Sequence, residues 1–545
     1  MTISEILRQK ECAVIFGEVS DFTENYLCEY TKNLNRKSRP DNFLSAKTDI
    51  ADPVWGHIAL SGLEVCVIDS PVVQRLRRIK QLGFADMVYS CADFSRFAHT
   101  IGVLAVTSQM SGVIKSRLYE RCDTNIDFPK ILRMAAIFHD TGHMFFSHVS
   151  ESFFTYKSFP RSGEVQKTID FFNKSTSAKA AFHEIISVMI VQSKAVRTLF
   201  ETLKHLSAQS GTEFYNCSAD KLVEYISCFI IGVACDKNML PYSSILNGSV
   251  DADKLDYLFR DSLATGIPIS VDISRLIQKL ETVEITDFTP PPIWQNTDML
   301  YDTENSIKLI MALKFSAQRI FWQIVMARSI MYETVYMHQK VITAKIMFQN
   351  ALAEFFKDKD LKFDEILEMT DDFFNSQNLK PFEKTAKIFK DIQNRNLYKR
   401  VAIFSYETVE VADYAAFIDS LSDEFLSKIN AEYKSLFAKA DDAFFAFVNA
   451  FVPKTSDSTF NIPIEYGNNT YKTASQIFRS SPLPYLQTQD LSKRRYLVTD
   501  AARRDFAYIA LERVLAREYG ASLSQEACIC SKYSAEHIHA LKRTL

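Results

Sequence analysis

Five of the chain's ten histidines fall in one stretch: His99, His139, His143, His148 and His183. Its centre is AAIFHDTGHMFFSH, where an apolar run meets His139-Asp140, then His143, then His148. An imidazole beside a carboxylate at the end of a buried helix offers two metal ligands of hard or borderline character. Adjacent residues diverge by about 100° on a helix, so both reach one ion only if it lies off the helix end, where Thr141-Gly142 opens the backbone. Two further ligands must come from elsewhere. His99 in SRFAHT and an acid from VDADKLDYLFRD are the candidates. The second segment sets Asp251, Asp253, Asp256 and Asp261 among Leu255, Tyr257 and Leu258, and burying several unpaired carboxylates implies a cation. His205, His537 and His539 stand apart and read as structural.

The elements that must carry these residues are helices. Only 14 Gly and 15 Pro in 545 residues, with Leu, Ile, Phe, Ala and Lys at helical spacing, predict a mainly α protein. Residues 1–50 read as a short polar N-terminal extension ending in NRKSRPDNF. Residues 51–345 read as densely patterned helices, punctuated at Asn247-Gly248 and Pro290-Pro291-Pro292. Residues 346–545 read as a mixed α/β C-terminal lobe for support or oligomerisation, with strand-like YKRVAIFSYETVEVA, more strand from Tyr471, and a closing helix from Thr499 to Tyr519.

Composition excludes several classes. With 63 Lys+Arg against 66 Asp+Glu the formal charge is -3, so no global basic excess marks a dedicated nucleic-acid or membrane-surface binder, and a nucleic-acid partner is not indicated. The apolar run Tyr225 to Cys235 is far shorter than the roughly 20 residues a bilayer demands, so no membrane partner is expected. The ten cysteines are scattered, Cys528 and Cys530 lack CxxC spacing, and MTISEILRQKEC lacks a signal-peptide core. A reducing cytoplasmic location, or a nuclear one, is the expectation, with buried thiols.

Taken in order, DPVWGHIALSGLEVCVIDSPVVQRLRRIKQLG, SRFAHTIGV, HDTGHMFFSH, FHEIISVMI, VDADKLDYLFRD, ARSIMYETVYMH and, more weakly, RNLYKR resemble the HD-domain phosphohydrolases. Within them the likeness is to the deoxynucleoside triphosphate triphosphohydrolases that pair an HD domain with a sterile-alpha-motif domain. It covers residues from about 51 to about 400; only some fifty residues precede it, so the sterile-alpha-motif domain is not expected. The resemblance implies a helical HD phosphohydrolase core with His99, His139, Asp140 and Asp253 as ligands of one divalent metal, be it Mg, Mn, Fe or Zn. Asp253 is favoured because the family's ligand precedes a Lys, here Lys254. Additional Mg would arrive with the triphosphate. His148 matches the catalytic histidine, Glu151 at i+3 orients it, and His183-Glu184 matches the companion pair, beyond an insertion around Ser158 to Ala180.

The implied reaction cleaves a dNTP to a deoxynucleoside and tripolyphosphate. Arg96, His143, Lys254 and Arg328 would hold phosphate oxygens, Tyr257 and Asp261 would lie near the sugar, and Gln81 and Leu82 beneath it, with Leu82 and Tyr336 leaving no room for a 2′-hydroxyl. Asp69, Gln74 and Arg77, with Arg395 and Lys399, match positions that read an activating guanine nucleotide, GTP or dGTP. A homo-oligomer, a tetramer foremost, is implied. The chain departs from the family at Ala98 (NRFEHS reads SRFAHT), at Met144-Phe145 (HGPFSH reads HMFFSH), at Ala51 and at Val73. Two other classes compete: an HD phosphodiesterase or nuclease acting on oligonucleotides or cyclic nucleotides, and a nucleotide-sensing scaffold.

Overall fold

The computed structural model describes residues 1–36, 44, 48–118, 124–156, 158–284, 309–357, 359, 361–375, 377–406, 408–436, 446–450, 462–465, 471–473, 494–500 and 503–524. The loop NRKSRPDNF beyond Arg36, Pro290-Pro291-Pro292, His537, His539, Cys528 and Cys530 lie outside them. The protein is 63 % helical, with small sheets weighted toward the C-terminal part, as the sparse Gly and Pro predict. Among the described residues the chain divides into two compact units.

The first unit spans Met1–Arg328, Phe355–Asn378 and Thr455–Ser480. Its centre is the helix Arg96–Arg117, started by Ser95, whose hydroxyl accepts the Ala98 amide. That helix is long and apolar enough to cross a bilayer by length and composition, yet 72 % of its apolar window is buried inside the protein. It is a core helix, and it carries His99. Against it pack Phe128–Phe138 and Ala252–Thr265. Residues 1–50 differ from the polar extension expected. Thr2 caps a short helix, and Lys10–Arg36 forms a 27-residue helix that buries Ile15, Val19, Phe22 and Leu27 at three- to five-residue spacing. Interleaved charges mask that stripe in the composition.

The insertion between His148 and His183 forms the helix Ser162–Thr176. Thr168 Oγ1 donates to the Glu11 carbonyl at 2.7 Å, and Arg161 pairs with Glu18 at 2.9 Å, so the insertion packs on the N-terminal helix. A four-stranded sheet runs in the order Leu280–Glu284, Leu309–Leu313, Pro463–Glu465, Tyr471–Thr473, with only its central pairing parallel.

The second unit spans Ser329–Glu354, Leu379–Lys454 and Ser481–Leu545. Arg494–Thr499 is the middle strand between Lys399–Phe404 and Ala446–Ala450, all antiparallel. Helices Tyr414–Ser420, Asp423–Leu436 and Arg504–Val514 belong to it, and Phe404, Phe417, Phe425, Leu511 and Val514 share its core. The closing helix begins at Arg504, later than Thr499, because Thr499 still belongs to the strand.

Candidate active site

His139 caps the C-terminal end of Phe128–Phe138. Its Nδ1 meets the Ala136 carbonyl at 2.7 Å, which makes Nδ1 the donor and leaves Nε2 a lone pair. That Nε2 is buried without a hydrogen-bond partner. Around it gather His99 Nε2, 2.9 Å from Asp253 Oδ1 and 3.8 Å from Asp140 Oδ2, and Asp140 Oδ1, 3.5 Å from His139 Nε2. Offered ligand atoms of His99, His139 and Asp253 all lie within 4.8 Å of one another. An orphaned imidazole nitrogen facing two carboxylates fits a divalent cation, and two His with two Asp suit Mg, Mn, Fe or Zn alike.

The spacing of the acids has a local cause. Asp251 is the N-cap of Ala252–Thr265, accepting the Lys254 amide at 2.7 Å and pairing with Lys254 Nζ, so it is occupied. Asp253, two residues past the cap in the first turn, faces His99. Asp256, a further three residues on, accepts from His99 Nδ1 at 2.7 Å, from Trp55 Nε1 at 2.5 Å and from Arg260 Nε at 2.8 Å; Arg260 also pairs with Asp52 at 2.9 Å. This buried chain fixes the His99 tautomer so that Nε2 points at the metal position. Asp256 is legible as a DxxD repeat on one helix face, but its role behind His99 is not. Burial opposes charge on His99, yet the hydrogen bonds of its ring nitrogens to the Asp253 and Asp256 carboxylates outweigh it and push its pKa up to about 10. Burial likewise opposes ionisation of Asp140, but Arg96 above all holds its carboxyl well below the usual range.

The loop behind the ligands is fastened by two side chains. Arg75, fully enclosed, donates to the Thr141 and His143 carbonyls at 3.0 and 2.6 Å. Gly142 N donates to Ser187 Oγ at 2.8 Å, and Ser187 Oγ donates to the His139 carbonyl at 2.6 Å. Arg75 and Ser187 carry no motif signal, which is why sequence reasoning passes them over.

Beside the metal position lies a second cluster. Glu151 bridges two imidazoles, Oε2 accepting from His148 Nδ1 at 2.8 Å and Oε1 from His183 Nδ1 at 2.7 Å and the His183 amide at 3.0 Å. Both Nε2 atoms are thereby left for other partners. The His143 ring stacks on His183 with centroids 3.8 Å apart and meets His148 edge-on at 4.8 Å. Burial opposes charge on His183, but Glu151 outweighs it and lifts the pKa to about 9. Burial, with Arg96 next, pushes His143 well below its ordinary value. His148 is also lowered, first by the surrounding protein, with Arg96 and His183 against Glu151; its side chain is 62 % open to solvent, which screens that push. Glu184 turns away from the imidazoles, accepting from the Ala181 amide at 2.6 Å and Asn247 Nδ2 at 2.7 Å; burial lifts its pKa to about 7.

Residues 96–210, which hold every imidazole of both clusters, match the HD domain, and residues 322–433 match the HD-associated region. The chain carries an HD domain and an HD-associated region. An uncharacterized protein of Methanocaldococcus jannaschii is 26 % identical over 380 residues, 69 % of this chain and 64 % of its own length. The deoxynucleoside triphosphate triphosphohydrolase SAMHD1 homolog of Dictyostelium discoideum is 27 % identical over 388 residues, 68 % of this chain and 62 % of its own length. The Homo sapiens protein named deoxynucleoside triphosphate triphosphohydrolase SAMHD1 is 30 % identical over 260 residues, covering 43 % of this chain and 36 % of its own length. The chain thus spans less than two thirds of the length of these relatives. A solved hypothetical protein from Aquifex aeolicus shares the fold, with a TM-score of 0.56 at 20 % identity over 86 % of this chain and all of that one.

The remaining predicted residues distribute unevenly around the HD domain. Arg96 is buried with Nη1 on Asp140 at 2.7 Å and Nε on Ser147 Oγ at 2.8 Å, while Nη2 has no hydrogen-bond partner. Lys254 Nζ bonds Asp251 and the Gly248 carbonyl at 2.9 Å, and Arg328 lies close enough to oppose its charge. Asp261 is buried and Tyr257 half-buried on the Asp253 helix. Gln81 and Leu82 sit in the turn before the 3-10 segment Ala85–Met87, Gln81 with a buried Oε1 lacking a hydrogen-bond partner. Asp69 and Arg77 are exposed; Gln74 donates to the Ile68 carbonyl, and Arg77 donates to Gln74 Oε1 at 2.7 Å while its guanidinium covers the Phe97 ring at 3.5 Å. Tyr336, Arg395 and Lys399 belong to the second unit, Tyr336 ending a π-turn and Arg395 holding a φ of 59°.

Proposed function

We propose that the chain is a metal-dependent dNTP triphosphohydrolase, releasing a deoxynucleoside and tripolyphosphate. The observation that carries the reading is the juxtaposition of a His99/His139/Asp140/Asp253 donor set with two imidazoles bridged by Glu151. The names of the Dictyostelium and human relatives support the substrate class. When bound, the divalent ion supplies Lewis-acid polarisation of phosphate oxygens.

The chain's own residues supply the rest. Water adds to the α-phosphorus, the bond from phosphorus to the 5′-oxygen breaks, and that oxygen takes a proton. His148 is placed to give it: Glu151 holds Nδ1, the ring is open to solvent, and a bound triphosphate raises the imidazole's pKa and favours the protonated acid. His183, held by the same carboxylate, orients the water. Arg96 Nη2, His143 and Lys254 line the anion's side of the site. Leu82 excludes a 2′-hydroxyl sterically. The face carrying exposed Asp69 and Arg77 and half-buried Gln74 is the proposed guanine-nucleotide site.

Purified protein incubated with each dNTP and rNTP plus Mn or Mg, with products separated by chromatography, tests this. Tripolyphosphate from dNTPs alone is the expected result. Pyrophosphate or a monophosphate would indicate a phosphodiesterase instead, and equal turnover of ATP and dATP would overturn the sugar argument.

A further inference from the structure

Two consecutive non-glycine residues, Phe146 and Ser147, hold φ of 50° and 56° immediately before His148. L side chains in that region are strained, so such a turn persists only where neighbours over-determine it. The neighbours are specific. The Phe146 amide donates to Asp371 Oδ1 at 2.6 Å, and Asp371 Oδ2 accepts the Lys80 amide at 2.9 Å. Ser147 Oγ donates to the Lys80 carbonyl at 2.5 Å and accepts from Arg96 Nε. Three residues beyond Asp371, the Phe374 ring packs on Phe145 at 4.5 Å and on Phe146 at 6.0 Å. The packing therefore uses both aromatic residues of HMFFSH, of which Phe145 stands where the family's motif has proline.

We propose that Asp371, 225 positions downstream of Phe146, is a positioning residue for His148: its two carboxylate oxygens join the Lys80 backbone to the positive-φ turn and so set the direction of the His148 ring. Two N–H donors converging on one side chain need two acceptor oxygens. An amide has one, and its NH₂ would face a donor. The proposal rests on His148 being the proton donor.

Asp371→Asn is nearly isosteric and tests it in the full chain with metal bound. Metal content and affinity for a non-hydrolysable α,β-imido dNTP stay unchanged, while kcat falls at least tenfold and KM moves less than twofold. In a His148→Ala background, Asp371→Asn brings no further loss, because groups acting as one unit are not additive. Ser147→Ala, which loosens the same turn from its other side, follows the same pattern with a smaller loss. An equal loss in both backgrounds, an unchanged kcat, or loss of metal in Asp371→Asn would each overturn the proposal. Full activity in His148→Ala alone would remove the proton-donor reading and the proposal with it.

Discussion

Asp256 carries no charge to the substrate, yet the metal position depends on it. It holds His99 Nδ1, Trp55 and Arg260 together in the interior. Asp256→Asn keeps its volume but weakens the acceptor behind His99, and outer partners of this kind are worth roughly 10- to 100-fold in metal affinity. Chelator competition on purified protein should show that drop. His148 behaves oppositely: His148→Ala should retain metal and nucleotide, measured by calorimetry, and lose roughly 10²- to 10⁴-fold in rate. At this scale the histidines and Asp140 carry a signal because metal ligation restricts residue type, while Asp253 is singled out from Asp251, Asp256 and Asp261 only by the family resemblance. The role of Asp256 behind His99, and Arg75, Ser187 and Asp371 altogether, were not legible, since a partner for backbone groups or a ring N–H leaves no spacing signature of its own.

Elements meet where a side chain cannot fit. A Cβ on Gly142 would lie 2.1 Å from the His183 carbonyl and 2.5 Å from the Ser187 amide, so the metal loop approaches the helix Phe182–Gln192 this closely only because residue 142 is glycine. Gly142→Ala should cost about 1–3 kcal/mol in a denaturant melt and move His183 away from His143, with activity falling more than stability. The segment holding Asp371 gives a pH signature. Burial, with Asp372 adding to it and Lys80 opposing, pushes its carboxyl from 3.8 up to about 6. A raised acid binds its proton more tightly when folded, so the stability it contributes is complete below its ordinary value and lost as pH rises through about 6. Thermal melts should therefore show wild type gaining on Asp371→Asn as the buffer is taken from neutral toward about pH 4; a constant difference would contradict the shift. Helical class and the mixed C-terminal part followed from Gly, Pro and apolar spacing. The N-terminal helix did not, because its buried residues are diluted by exposed Glu and Lys in the same turns.

For the molecule as a whole, the metal position joins residues from three separate helices, so an ion bound there stabilises the fold rather than one element. Dialysis against chelator should lower the melting temperature and Mn should restore it, with about 2.7 kcal/mol gained at a hundredfold excess over Kd. An unchanged melt would argue that no ion binds the folded form. The first unit also draws on chain that lies far downstream: Phe355–Asn378 returns to it after the second unit has begun. Phe374 arrives with that return and meets Phe145, the residue standing where related motifs carry proline. The contact predicts that the two positions vary together. A lineage that regained Gly-Pro at 144 and 145 would lose the ring that Phe374 rests on, so an aromatic at 374 and an aromatic at 145 should be inherited or lost together, and chimeras that exchange only one of them should be the ones that fail.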